Sequence, residues 1–213
     1  MHFSPDFPSV RVVRWSALRW TGWGVMTLLA TAVAGYSFVL LANPAARPPF
    51  IAQSPVPLAA LAHFLFGGIA MLLGPWQFLT GRGARRSATH RVTGYAYAIG
   101  AVIGGGAGLV LAPFAQFGMV SAVGFGLLGL GTVVTTVVAV RRARARDIAD
   151  HRRWMVRSYA LILAAVTLRF QIPLSLMAGF SFPVVYPIIA WACWVPNALV
   201  AEWMVRRRGG VAA

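Results

Sequence analysis

The chain has 213 residues, 59% hydrophobic and 11% charged, with a net charge of +15 and a mean hydropathy of +0.72. A water-soluble domain of this size keeps a large polar exterior and could not hide so much apolar surface, so the composition excludes a soluble globular protein and fits lipid as the solvent. All 19 basic residues are arginines, set in short clusters between apolar runs rather than on a separate basic face, which argues against nucleic acid as the partner.

A hydrocarbon core of about 30 Å needs roughly 20 apolar residues in helical form, and six such runs follow one another. Arg11, Arg14 and Arg19 precede the first, 22–41. Its "LLATAVAG" has small residues spaced as at a signal-peptide cleavage site, but the apolar run continues through "YSFVLL", which favours an uncleaved span. The connection "NPAARPPFIAQSPVP" carries only Arg47 and leads to the second run, 58–78, which contains His63 and Gln77. The loop "GRGARRSATHR" then supplies Arg82, Arg85, Arg86 and Arg91, with Ser87 or Thr89 as a helix cap beside His90.

The third run, 92–113, holds Gly100, Gly104 and Gly108 on one face, a spacing that lets helix backbones approach closely in lipid. "GAVIGGGAG" within it is not a phosphate loop, because it has neither a lysine nor a preceding strand. The fourth run, 119–140, repeats small residues at Gly124 and Gly131. The loop "RRARARDIADHRR" adds six arginines, Asp147 as an N-cap with Asp150 three residues on, and His151. The fifth run, 154–178, contains Arg169 and Gln171, and the sixth, 183–205, contains Asn197 and Glu202 before Arg206, Arg207 and Arg208. Pro173, Pro187 and Pro196 are expected to kink the last two spans. Cys193 is the only cysteine, so no internal disulfide forms.

Arginine-rich and arginine-poor connections alternate. With an even number of spans this places both chain ends in the cytoplasm, with 1–21 as a basic cytoplasmic segment. The expected fold is all-α: a polytopic membrane bundle of six transmembrane helices in one domain covering 1–213. Its arginine clusters would meet anionic lipid headgroups.

Ionisable and amide groups inside a bilayer are costly and therefore functional candidates. His63 and Arg169 are expected in the outer half, with His63 and Gln171 as possible partners of Arg169. Gln77, His90 and His151 are expected near the cytoplasmic boundary. His90 and His151 each open a span and each is followed by an arginine, Arg91 or Arg152. They read either as interfacial residues touching water and lipid phosphates or as imidazoles on different helices ligating one metal, foremost haem iron. A proton or quinone site at the same surface is a third reading. Zinc and calcium are poorly served by four acids and no paired-cysteine or H-E-x-x-H spacing. Nothing assembles a hydrolytic site either.

"HFLFGGIAMLLGPWQFLTGRGARRSATHRVTGYAY", "DIADHRRWMVRSYALILAAVTLRF" and "IAWACWVPNALVAEW" together resemble the bacterial multi-pass membrane family named domain of unknown function 2306, over about 58 to 204. The resemblance implies a helical membrane protein of the bacterial inner membrane and carries no activity. "HRVTGYAY" is similar to the start of the third span in the ascorbate-dependent transmembrane di-haem cytochromes b. In those proteins histidines pair the third span with the fifth and the second with the fourth. The fourth span here has no histidine, so this resemblance implies one haem b, on His90 and His151, and leaves His63 without a mate. Three functions follow. The first is haem-linked electron transfer with Arg82, Arg91 or Arg152 near the propionates and Gln77 close by. The second is a binder or transporter of a small anion or lipid at His63, Arg169 and Gln171. The third is an accessory subunit of a larger membrane complex.

Overall fold

The computed structural model describes residues 16–80 and 88–209, all in helices, turns and short connections, with no strand among them. Helix α1 covers Ala17–Ala42, α2 is the short Pro49–Ala52, α3 covers Pro57–Thr80, α4 Ala88–Leu111 and α5 Met119–Arg144. Each of the last two crossings is built in two pieces: α6 (Ile148–Ile162) with α7 (Ala164–Met177), and α8 (Phe182–Ala192) with α9 (Val195–Gly209). Six helical stretches are long and apolar enough to cross a membrane, and the chain is a multi-pass membrane protein.

Several helices begin earlier than the apolar runs, α1 at Ala17, α4 at Ala88 and α6 at Ile148. Backbone hydrogen bonding continues through the arginines and histidines at that end, where hydropathy has already fallen. Residues 1–15 and 81–87, with Arg82, Arg85, Arg86 and Ser87, lie outside the described residues, and Thr89 falls inside α4 rather than at its cap.

Consecutive helices pack as neighbours: α3 between α1 and α4, α4 on α5, α5 on α6 and α8, and α6 on α9 and α3. In lipid this association depends on close packing and hydrogen bonds, and the α3–α4 seam shows it. A Cβ on Gly100 would lie 2.8 Å from the Phe66 carbonyl oxygen, and one on Gly104 would lie 2.7 Å from the Gly67 nitrogen. The expected glycine face is therefore a helix contact. A second close approach pairs Gly105 of α4 with Gly129 of α5, where each added Cβ would crowd the other's carbonyl oxygen at 3.2 and 2.9 Å.

The interruptions fall only partly at the prolines. Pro173 and Pro187 lie inside continuous helices, whereas the fifth crossing breaks at Leu163, ten residues before Pro173. At the break Thr167 Oγ1 donates to the Leu163 carbonyl at 3.3 Å, which also accepts from the N–H groups of Val166 and Thr167, although the same bond at Thr132 and Thr136 leaves α5 continuous. Such back-bonding from a hydroxyl bends helices. The sixth crossing does break beside Pro196, which cannot donate to Ala192. Gln171 Nε2 of α7 fills that vacancy, donating to the Ala192 carbonyl at 3.0 Å. Pro75 within α3 likewise frees the Met71 carbonyl, and the Tyr159 hydroxyl of α6 donates to it at 3.3 Å. Both cases supply, from another helix, the donor that proline removes.

Arg47, the exception in the arginine-poor connections, closes the end of α1. Its Nε donates to the Leu40 carbonyl at 2.7 Å and its Nη2 to the Leu41 carbonyl at 3.1 Å, satisfying oxygens that a helix end leaves free. At the opposite, arginine-rich end, Asp147 Oδ1 accepts from the Asp150 N–H at 3.1 Å as the N-cap of α6. Asp150 pairs with Arg142 at 3.2 Å and Arg153 at 3.6 Å instead of closing the box on the backbone.

Candidate functional site

Helices α3, α4, α5 and α6 enclose the polar centre. α3 and α5 each pack against both α4 and α6, so α4 and α6 face each other across it. In the interior Tyr97 Oη of α4 lies 2.8 Å from Ser158 Oγ of α6, and Ser158 Oγ lies 2.7 Å from Thr136 Oγ1 of α5. Thr136 Oγ1 is also 2.7 Å from the Thr132 carbonyl. All three side chains are fully buried. A carbonyl only accepts, so one arrangement uses every hydroxyl hydrogen: Tyr97 donates to Ser158, Ser158 to Thr136, and Thr136 to Thr132.

His90 precedes Tyr97 by seven residues, and His151 precedes Ser158 by seven. Seven residues are nearly two helical turns and about 10 Å of rise, which returns a side chain to the same face. Both imidazoles therefore stand on the faces that meet through Tyr97 and Ser158, two turns nearer the arginine-rich end. His151 Nδ1 donates to the Ala139 carbonyl of α5 at 2.9 Å. That bond fixes the ring and its tautomer, and in the neutral form puts the lone pair on Nε2. His90 is half-buried in the first turns of α4. Above it on α3, Gln77 Nε2 donates to Thr93 Oγ1 at 2.7 Å, and the Gln77 oxygen occupies the space that a side chain on Gly94 would need. Arg91 and Arg152, one residue on from the histidines, are exposed at the helix ends.

The other sequence candidates are spread more widely. His63 Nδ1 of α3 donates to the Gly104 carbonyl of α4 at 2.9 Å, with the rest of the ring exposed on the bundle surface. Arg169 Nη1 donates to the Ala165 carbonyl of its own helix at 2.9 Å, and its guanidinium lies 5.2 Å from the ring centroid of Tyr36 on α1. Gln171 faces α8 through Ala192. No hydrogen bond among the described residues joins His63, Arg169 and Gln171 to one another. Sequence reasoning missed Tyr97, Ser158 and Thr136. The signal for Tyr97 and Ser158 was the shared seven-residue offset from the two histidines; Thr136 had none.

Among the described residues no group of three or more His, Cys, Asp or Glu side chains is placed to hold a metal ion. The donors present are an imidazole on α6 held by the Ala139 carbonyl and an imidazole on α4, each seven residues before the Tyr97–Ser158 bond, with exposed arginines beside both.

A family model described as predicted membrane protein, DUF2306, matches residues 60–205, from α3 into α9. The chain belongs to this family. The DUF2306 match covers all four helices of the polar centre and both broken crossings, while α1 precedes it. No curated protein and no solved structure matches the chain.

Proposed function

We propose that this DUF2306 protein is a haem-b-linked electron-transfer protein of the bacterial inner membrane, with His90 and His151 as axial ligands and its arginine-rich end in the cytoplasm. The observation that supports the reading is the register of the two histidines with the Tyr97–Ser158 bond: each stands seven residues before its partner in that bond, on helices α4 and α6. The Ala139 carbonyl gives His151 the kind of backbone acceptor that orients ligating histidines. Gln77 borders the same interior, and Arg91 and Arg152 offer cations to propionates at the membrane surface. A bound haem would supply one-electron chemistry, and the protein would set its orientation and exclude water from it.

The test is a reduced-minus-oxidised spectrum of the protein purified from haem-replete cells. A b-type absorbance band is expected, and His151→Ala and His90→Ala should abolish it while leaving a monodisperse protein. A colourless preparation would overturn the reading.

Arg169 favours a second reading. Among the described residues its charge is met by a carbonyl and an aromatic face rather than a carboxylate, as an anion-binding site in the outer half of the crossing requires. Its ligand would be a small anion or an anionic lipid headgroup. If Arg169→Gln leaves anion and anionic-lipid binding unchanged in the folded protein, this reading fails.

A further inference from the structure

The polar centre leaves a second concentration of polar groups unexplained, at the two broken crossings. α6 gives way to α7 at Leu163, and α8 gives way to α9 at Cys193 and Trp194. Just beyond the breaks, Asn197 Nδ2 donates to Thr167 Oγ1 at 3.0 Å; the two crossings run antiparallel, so the Leu163 break lies about one turn to one side of this bond and the Cys193 break about one turn to the other. Each break falls where a polar side chain takes the carbonyl four residues back: Thr167 takes that of Leu163, and Asn197 takes that of Cys193 at 3.1 Å. Interrupted helices at membrane depth persist only where protein buries them or a cavity adjoins them, and discontinuous neighbouring crossings often form intramembrane binding sites.

A cavity adjoins the first of them. A groove of about 270 Å³ runs between α1 and the broken crossings, walled by Met26, Leu29, Leu163 and Val166, with Thr167 and Asn197 as its polar groups. Its lining carries no charge, and it lies within the apolar length of the bundle, so its contents come from the bilayer. The hydrogen inventory narrows them further. Both amide hydrogens of Asn197 are used, on Thr167 Oγ1 and the Cys193 carbonyl. The one hydroxyl hydrogen of Thr167 goes either to Leu163 at 3.3 Å or to Asn197 Oδ1 at 3.4 Å. Donors are spent, whereas Asn197 Oδ1, which accepts at most the Thr167 hydrogen, keeps at least one lone pair open to a further donor.

We infer that the groove binds an uncharged membrane lipid bearing a free hydroxyl, which donates to Asn197 Oδ1 while its apolar tail lies along Met26 and Leu29. The chemistry is shared by diacylglycerols and quinols, and it stands whether or not the protein holds haem. Lipids with only ester or ketone oxygens bring acceptors alone and leave the open lone pair of Oδ1 unused.

The full-length protein in detergent would be titrated with dioctanoylglycerol, its O-methyl ether, decylubiquinol and decylubiquinone, with bound lipid read by native mass spectrometry. At least one of the two alcohols is expected to bind, roughly tenfold more tightly than its hydroxyl-free counterpart, the loss expected for one hydrogen bond. Whichever alcohol binds more tightly identifies the natural source. Met26→Trp, which fills the groove and leaves the polar groups alone, and Asn197→Leu, which removes the acceptor, should each weaken binding by a similar factor. Each variant is to be compared with the parent for monodispersity and thermal melting, so that one remains informative if the other misfolds. Equal binding of alcohol and ether, binding of neither alcohol, or unchanged binding by a folded Met26→Trp or Asn197→Leu protein would overturn the proposal.

Discussion

The Tyr159 hydroxyl donates across the bundle to the Met71 carbonyl, the oxygen that Pro75 cannot bond from within α3. Proline and tyrosine form a complementary pair: one removes a donor inside a helix, and the other restores it from a neighbour. Replacing Pro75 by alanine would return an N–H to Met71 and make the tyrosine hydroxyl redundant. Tyr159→Phe should therefore cost about 1 kcal/mol in the parent protein, the scale of an interhelical hydrogen bond in lipid, and close to nothing in Pro75→Ala. A reversible unfolding titration of the two single variants and the double variant checks this. Equal costs in both backgrounds would show that the hydroxyl has another use.

The direction of the hydroxyl chain has its own consequence. Ser158→Ala leaves the buried Tyr97 hydroxyl with a hydrogen and no acceptor, a loss of about 1–3 kcal/mol. Tyr97→Phe removes donor and hydrogen together and should cost less. The double variant should be more stable than Ser158→Ala alone. The same unfolding titration ranks the three, and a reversed order would mean that the hydrogens run from Thr136 toward Tyr97.

Glycines in α4 should divide sharply. Gly104→Ala drives a methyl group into the Gly67 backbone, so α3 and α4 must separate, at a cost on the order of 1–3 kcal/mol. Gly106 has open space where a Cβ would go, and Gly106→Ala should be neutral or slightly stabilising through helix propensity. Melting temperatures in one detergent compare the pair.

Orientation follows from the arginines. Reporters fused at Ala213 should be read in the cytoplasm, and reporters inserted at Gln53 should be read outside. Arg47→Ala should leave this arrangement unchanged while loosening the end of α1, because that guanidinium is engaged with the Leu40 and Leu41 carbonyls.

Much of the fold was legible because lipid imposes simple demands. Apolar length marked the six crossings, the fourfold spacing of Gly100, Gly104 and Gly108 marked a close helix contact, and Asp147 marked the start of α6. What stayed hidden depends on which helices are neighbours. The break at Leu163 has no proline to announce it, and the Thr167 hydroxyl bonded there has counterparts at Thr132 and Thr136 that leave α5 whole. Gln171 looked like a partner for Arg169, yet it serves the Ala192 carbonyl on another crossing, a need visible only once α7 is set beside α8. His63 and Arg169 were expected to share the outer half of the bundle; which oxygens they bond, the Gly104 carbonyl of α4 and the Ala165 carbonyl of α7, was not readable from their spacing. Helix periodicity tells which residues share a face and is silent on what that face meets.

Cys193, the one thiol, is completely buried against α5 and α7. Water-borne maleimides should pass it by. A cysteine introduced at any accessible position would then be the sole reactive group, so labelling from either side of the membrane can proceed in the natural background.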